Sequence, residues 1–277
     1  MTWGDWGKQL SKKEMEALMR HCISNGITTF DHADIYGGYT TETQFGEGLE
    51  SSGITREDIQ LISKCGIQYL SENRKNKVKH YDYSKDHIIW SVEESLKNLN
   101  TEYLDLLLLH RPSPLMVAEE IAEAITILKK DGKIKDFGVS NFNASQMEMI
   151  GLRVDIDVNQ IEFSLTQHSA MHNGTLDYMK TCGIKPMAWS PLGSVFKEDN
   201  ERTRRIHKQL GKLTSKYNAT EDQLLLAWIL KHPSGIHPVV GTTNKERLKQ
   251  AMDAIQIELE LEDWFLILVA CQAHKVP

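Results

Sequence analysis

Four side chains of this sequence could together move a proton onto a carbonyl oxygen. Asp31 lies in the apolar run 27–34, and Tyr36 stands five residues further on, just before Gly37 and Gly38. Lys64 sits near the end of the run 59–65, and His110 closes the run 103–110. Alone, a lysine at such a place is ordinarily solvated and a histidine ordinarily structural. Together on three consecutive strand ends they have another reading. A tyrosine titrates near ~10 and is a weak acid at neutral pH. An ammonium beside it favours the phenolate, and a carboxylate beside the ammonium keeps that charge in place. Asp31, Lys64 and Tyr36 would then form a proton-donating chain, with His110 donating a hydrogen bond to the same substrate oxygen. Hydride delivery to the carbonyl carbon is the natural partner step, and it needs a nicotinamide.

Such a chain works only if the elements bring these residues to one place. Short apolar or β-branched runs at 27–34, 59–65, 103–110, 136–140, 158–163, 185–190 and 237–241 alternate with segments of helix length. The leucine-rich run 103–109 suits a strand covered on both faces. Ser11 and Glu14 have the spacing of a capping box, followed by Met15, Leu18, Met19 and Cys22 on one helix face and a stop at Gly26. Further helical stripes are Ile88, Ile89, Val92, Leu96 and Leu99; Ile121, Ile125, Ile127 and Leu128, which Gly132 ends; and Leu224, Leu225, Trp228 and Ile229, stopped before Pro233. Repeated strand-helix units imply a parallel sheet with right-handed crossovers. Seven units, with Met1–Trp3 as the tail of an eighth strand, predict a closed (β/α)8 barrel formed by residues 1–277 as one domain. An open doubly wound sheet is the competitor, but no G-x-G-x-x-G follows an early strand. A barrel places the C-terminal ends of its strands at one mouth, where chemistry resides.

The later strand ends suit a dinucleotide. Ser140, Asn141 and Gln160 carry amide and hydroxyl groups that can hold a carboxamide, and Trp189 offers a flat face. Gly241-Thr242-Thr243-Asn244 precedes a helix expected from about Lys245, where backbone donors favour phosphate, and Arg247 falls in its first turn.

The motifs resemble those of the aldo-keto reductase superfamily along essentially the whole chain. Phe30-Asp31-His32-Ala33-Asp34-Ile35-Tyr36-Gly37 is similar to the family's first signature, Ile62-Ser63-Lys64 to its lysine strand, and Leu107-Leu108-Leu109-His110-Arg111-Pro112 to its histidine strand. The segments 133–142, 159–163, 188–193 and 240–244 follow in the family's order. The resemblance implies a (β/α)8 barrel and NADPH-dependent reduction of aldehydes or ketones. It assigns Tyr36 as general acid, Asp31 and Lys64 as its tuners, and His110 as the group orienting the carbonyl. It assigns Ser140, Asn141, Gln160, Trp189, Ser190, Leu192, Gly241, Thr242, Thr243, Arg247 and Gln250 to the cofactor. Departures from the pattern are an incomplete first strand with no N-terminal hairpin, Gly241 where many members have lysine, and tryptophan at the stacking position.

The bulk composition agrees with an enzyme of this kind. The chain has 277 residues, 40% hydrophobic and 25% charged, enough for a large core. A net charge of -6 argues against nucleic acid, and the basic run 202–208 reads first as a solvated helix face, second as a phosphate-contacting segment. Four scattered cysteines fit a reducing compartment, and no stretch suits a bilayer span or a signal peptide, so a cytoplasmic monomer or weak homo-oligomer is expected. Two rival functions remain. A cofactor-binding sensor or regulatory protein with little turnover would keep the barrel. A metal-dependent hydrolase would use Asp31, His32, Asp34 and His110, but strand alternation sends Asp31 and His32 to opposite faces, so no metal is expected. Substrate choice falls to the loops 68–79, 113–115, 163–173 and 194–201, and Trp3 and Trp6 suggest an apolar mouth tolerant of aromatics.

Overall fold

The computed structural model describes residues 3–275, which divide into two compact units. Unit one holds residues up to Asn159 together with Gly241–Lys245. It contains α1 (Lys12–Ser24), β1 (Thr29–Asp31), α2 (Thr41–Ser52), β2 (Gln60–Cys65), β3 (Ile67–Gln68), β4 (His80–Tyr81), α3 (Lys85–Asn98), β5 (Leu104–Leu109), α4 (Ala118–Lys130), β6 (Ile134–Ser140) and α5 (Ala144–Gly151). The strand β7 (Val158–Glu162) carries the chain into unit two, which contains α6 (Thr175–Cys182), β8 (Lys185–Trp189), α7 (Glu201–Tyr217), α8 (Glu221–Leu230), β9 (His237–Pro238), most of α9 (Lys245–Asp253) and α10 (Leu261–Gln272).

In unit one, β1 pairs with β2, β2 with β5 and β5 with β6, all parallel. The strand order follows the sequence, as consecutive strand-helix units require. Pairing outlasts β1 itself: the N–H groups of His32 and Asp34 donate to the carbonyls of Ile62 and Lys64 at 2.8 and 3.0 Å. The chain therefore enters the Tyr36 loop still fixed to β2. No strand precedes β1 among the described residues; Met1 and Thr2 of the expected eighth strand lie outside them, and Trp3 is in a bend.

The helices follow the sequence signals. Ser11 caps α1, with Glu14 reaching back to the Ser11 N–H at 2.8 Å, and Met15, Leu18, Met19 and Cys22 are buried. Less visible in the sequence is α2, whose buried face includes Thr41, Glu42, Phe45, Gly46 and Leu49. A Cβ on Gly46 would stand 2.2 Å from the Asn98 carbonyl oxygen, so glycine is what lets α2 approach the end of α3. Gly66 has φ +101°, and a Cβ there would overlap the Tyr83 ring. The turn that leads out of the Lys64 strand is thus restricted to glycine.

Unit two is built around stacked indoles. The Trp228 and Trp264 rings lie 4.8 Å apart and 6° from parallel, each Nε1–H donating to the other's carbonyl. In this unit β8 pairs in parallel with β9, which is two residues long and ends at Pro238. The basic run 202–208 lies on α7, where Arg202, Arg204 and Arg205 pair with Glu198, Asp199 and Glu201. Arg204 is exposed, whereas Arg202 and Arg205 are half-buried.

Candidate active site

Lys64 is the centre of the unit-one site. Its side chain is 1% exposed, and its ammonium uses every N–H. It donates to both Asp31 carboxylate oxygens at 2.8 Å, to the His32 carbonyl at 2.7 Å and to the Tyr36 hydroxyl oxygen at 3.3 Å. Burial by itself would push this ammonium down. Asp31 and then Tyr36 outweigh burial and hold Lys64 above the ordinary lysine value. The lysine is therefore a fixed positive charge against a phenolic oxygen, and such a charge stabilises the oxygen as its proton leaves.

The Tyr36 loop is shaped for this contact. The N–H of Tyr36 donates to the Ala33 carbonyl at 3.1 Å, and Gly37 and Gly38 take φ of 65° and 67°, turning the chain away into α2. His110 directly follows β5, its ring edge-on to Tyr36 with centroids 5.8 Å apart. Its imidazole is held neutral, well below the usual histidine value, by burial first and then by Lys64 and Arg111. His110 Nδ1 is buried without a hydrogen-bond partner. A proton there would be a stranded donor, so the neutral ring carries it on Nε2.

The other polar residues of the Asp31–Tyr36 stretch serve the scaffold. His32 turns away from Asp31 and packs on Phe45 of α2, ring centroids 4.3 Å apart. Asp34 belongs to the scaffold as well. The residue is half-buried with its Oδ1 sealed from solvent, and Ser91 of α3 donates to its Oδ2 at 3.1 Å. Burial, reinforced by Glu42, pushes its carboxyl up to about 8. A folded-state value raised above the unfolded ~3.9 means stability that is full below that lower value and lost as pH rises towards 8. Asp34→Asn is expected to flatten the fall in denaturation midpoint between pH 5 and pH 8.5. An unchanged fall in the variant would assign the pH dependence elsewhere.

Beside His110 lies a cavity of about 780 Å³, within the usual range for a small-molecule site. Trp6, Tyr69, Tyr81, Lys79 and Arg111 line it with His110. This alters the expected apolar mouth in two ways. Trp3 is in the core, against Phe30 and Phe45, while Trp6 alone reaches the cavity. Two cations line a wall that sequence reasoning left apolar. Arg111 could have been found, since it directly follows His110; Lys79 depends on the two-residue pairing of β3 with β4, which has no periodic signature.

The expected cofactor residues fall in both units. In unit one, Asn141 directly follows β6 at φ +62° and its amide donates to Ser140 Oγ at 2.7 Å. Thr242 Oγ1 accepts from the Asn244 N–H at 3.1 Å just before α9, and a Cβ on Gly241 would meet nothing within 4 Å. Thr243 is half-buried in the same approach to α9. In unit two, Gln160 is buried on β7 and Trp189 is half-buried at the end of β8. Ser190 follows at φ +51°, its carbonyl accepting from Gly193, with Leu192 half-buried inside that turn. Arg247 and Gln250 are on α9, and the Gln250 carbonyl accepts from Gln223 at 3.0 Å. Amide, hydroxyl and indole groups of these kinds are chemically suited to contacts with a nicotinamide dinucleotide. Among the described residues, no three His, Cys, Asp or Glu side chains converge as metal ligands, and no helix is long and apolar enough to cross a membrane.

A family model described as "Aldo/keto reductase family" matches residues 1–268. The chain belongs to the aldo/keto reductase family. Relatives of known sequence and structure agree. The Bacillus subtilis protein named "Uncharacterized oxidoreductase YcsN" is 45% identical, the match spanning 96% of this chain and 91% of that one. A crystal structure of the thermostable aldo-keto reductase Tm1743 with the inhibitor epalrestat has a TM-score of 0.81 at 27% identity, covering 97% of this chain and 93% of that chain. The Bombyx mori aldo-keto reductase AKR2E4, solved with NADP, has a TM-score of 0.77 at 26% identity and covers 99% and 88%. The aldo/keto reductase fold of this chain is the α/β barrel of (β/α)8 type.

Proposed function

We propose that this aldo/keto reductase is an NADPH-dependent enzyme that reduces aldehyde or ketone carbonyls to alcohols. The observation that carries the reading is Lys64, buried, bonded to Asp31 and in contact with the Tyr36 hydroxyl beside a cavity that His110 lines. Because Tyr36 oxygen accepts from Lys64, its own O–H is available to a substrate oxygen. His110, neutral and protonated on Nε2, donates a second hydrogen bond to that oxygen and orients it. As negative charge develops on the carbonyl oxygen, the Tyr36 proton passes to it, and Lys64 stabilises the phenolate left behind. NADPH, when bound, supplies the hydride that the carbonyl carbon gains.

Ser140, Asn141 and Gln160 would hold the carboxamide and Trp189 the ring. Ser190, Leu192, Gly241, Thr242, Thr243, Arg247 and Gln250 would hold the remainder, with Arg247 on the adenosine phosphate. The NADP complex of the Bombyx mori relative supports the choice of cofactor. A panel of aldehydes followed by cofactor absorbance is expected to consume NADPH, and NADH more slowly. Consumption of neither cofactor with any aldehyde would sink this reading.

A further inference from the structure

We infer that the cavity beside His110 selects carbonyl compounds that carry an anionic group, carboxylate or phosphate, held by Lys79 and Arg111. This rests on the reductase reading of the same site and adds the substrate's charge to it.

The chain as a whole is acidic, with a net charge of -6, yet residues 69–80 carry Arg74, Lys75, Lys77 and Lys79 against the single carboxylate of Glu72. Lys79 and Arg111 both line the cavity. Both also act on the buried His110 imidazole through their charge, which places them in electrostatic reach of the catalytic end. Lys79 has no ion pair and no side-chain hydrogen bond among the described residues, whereas Lys85, Lys133 and Lys135 of the same unit each pair with a carboxylate.

The loop bearing these cations is anchored. Ser71 Oγ and Asn73 Nδ2 donate to the Gly38 carbonyl at 3.0 and 2.9 Å, and Asn76 Nδ2 donates to the Tyr69 carbonyl at 3.0 Å. The Arg74 guanidinium lies 4.5 Å from both the Tyr39 and the Trp90 ring centroids. Tyr83 fixes the other wall, its hydroxyl donating to the Arg111 carbonyl at 2.6 Å and accepting from the Arg111 N–H at 3.1 Å. Two positive side chains are thus presented from pinned backbone to one cavity. Trp6, Tyr69 and Tyr81 supply the surface against which the body of a substrate would lie.

Matched pairs test this: 4-carboxybenzaldehyde with its methyl ester, and glyceraldehyde 3-phosphate with glyceraldehyde. In each pair the anion is expected to have kcat/KM higher by about tenfold at low salt, and the ratio should shrink as salt screens the contact. The pair with the larger ratio identifies the anion. In Lys79→Glu the ratio is expected to fall to about one or below. Binding of 4-(hydroxymethyl)benzoate and its methyl ester, followed by tryptophan fluorescence, reads the same preference without turnover. Equal turnover within both pairs, or a ratio untouched by Lys79→Glu, overturns the inference. If no aldehyde is reduced, the reductase reading fails by itself. The binding comparison then decides: tighter binding of the acid, lost in Lys79→Glu, keeps the anion site, and equal binding removes it.

Discussion

Tyr36→Phe is expected to lower kcat for carbonyl reduction by about 10²–10⁴-fold, the usual contribution of a positioned general acid, while NADPH still binds. The substitution removes one oxygen. Lys64 keeps Asp31 and the His32 carbonyl as partners, and the Tyr36 ring keeps its packing beside Trp6 and His110, so the fold should survive. The residues proposed for the cofactor do not include the phenol. Steady-state rates and a cofactor fluorescence titration, run on the same preparation, separate the outcomes. Near wild-type turnover would show that another group donates the proton. Loss of cofactor binding from a folded variant would mean that Tyr36 serves the cofactor first. A protein with negligible turnover before the substitution would return the regulatory reading to consideration.

The parts of the site that the sequence reveals are those where local pattern and global topology agree. Asp31, Lys64 and His110 lie at or near the ends of apolar runs, and parallel pairing of β1, β2 and β5 brings such ends together without further information. Tyr36 is legible from its distance to Asp31 and from the two glycines that follow it.

What stays hidden depends on contacts between distant segments. Asp34 looks like a solvated loop carboxylate, but the hydrogen bond from Ser91 of α3 and the charge of the buried Glu42 of α2 set its environment. The helix α2 escapes a periodicity search because glycines and a carboxylate occupy its buried face, positions usually given to leucine. The wall made by Lys79 exists only because Ile67 pairs with Tyr81 and Gln68 with His80, a register too short to leave a pattern. The barrel is therefore readable from the chain, and the selectivity of its mouth is not.

Lys64→Met should be the most damaging single change in the site, and for two separable reasons. Methionine matches the length of lysine but leaves the Asp31 carboxylate, 14% exposed, without its cation, and the His32 carbonyl without this donor. Breaking a pair this buried typically costs about 3–5 kcal/mol, visible as a lower denaturation midpoint. Activity should fall at least about a hundredfold, because nothing then stabilises the phenolate of Tyr36. Adding Asp31→Asn separates the two effects, since it removes the stranded charge without restoring an ammonium. The double variant is expected to regain a large part of the stability and none of the activity. Recovery of both would make Lys64 a purely structural residue, and recovery of neither would mean that the carboxylate is not what the ammonium stabilises. The pH dependence has a defined sign as well. With Lys64 held above the ordinary lysine value, its contribution to stability is complete below about 10.4 and is lost as pH climbs through the higher folded value. The wild-type protein should therefore lose stability in alkali from this source, and the Lys64→Met variant should not.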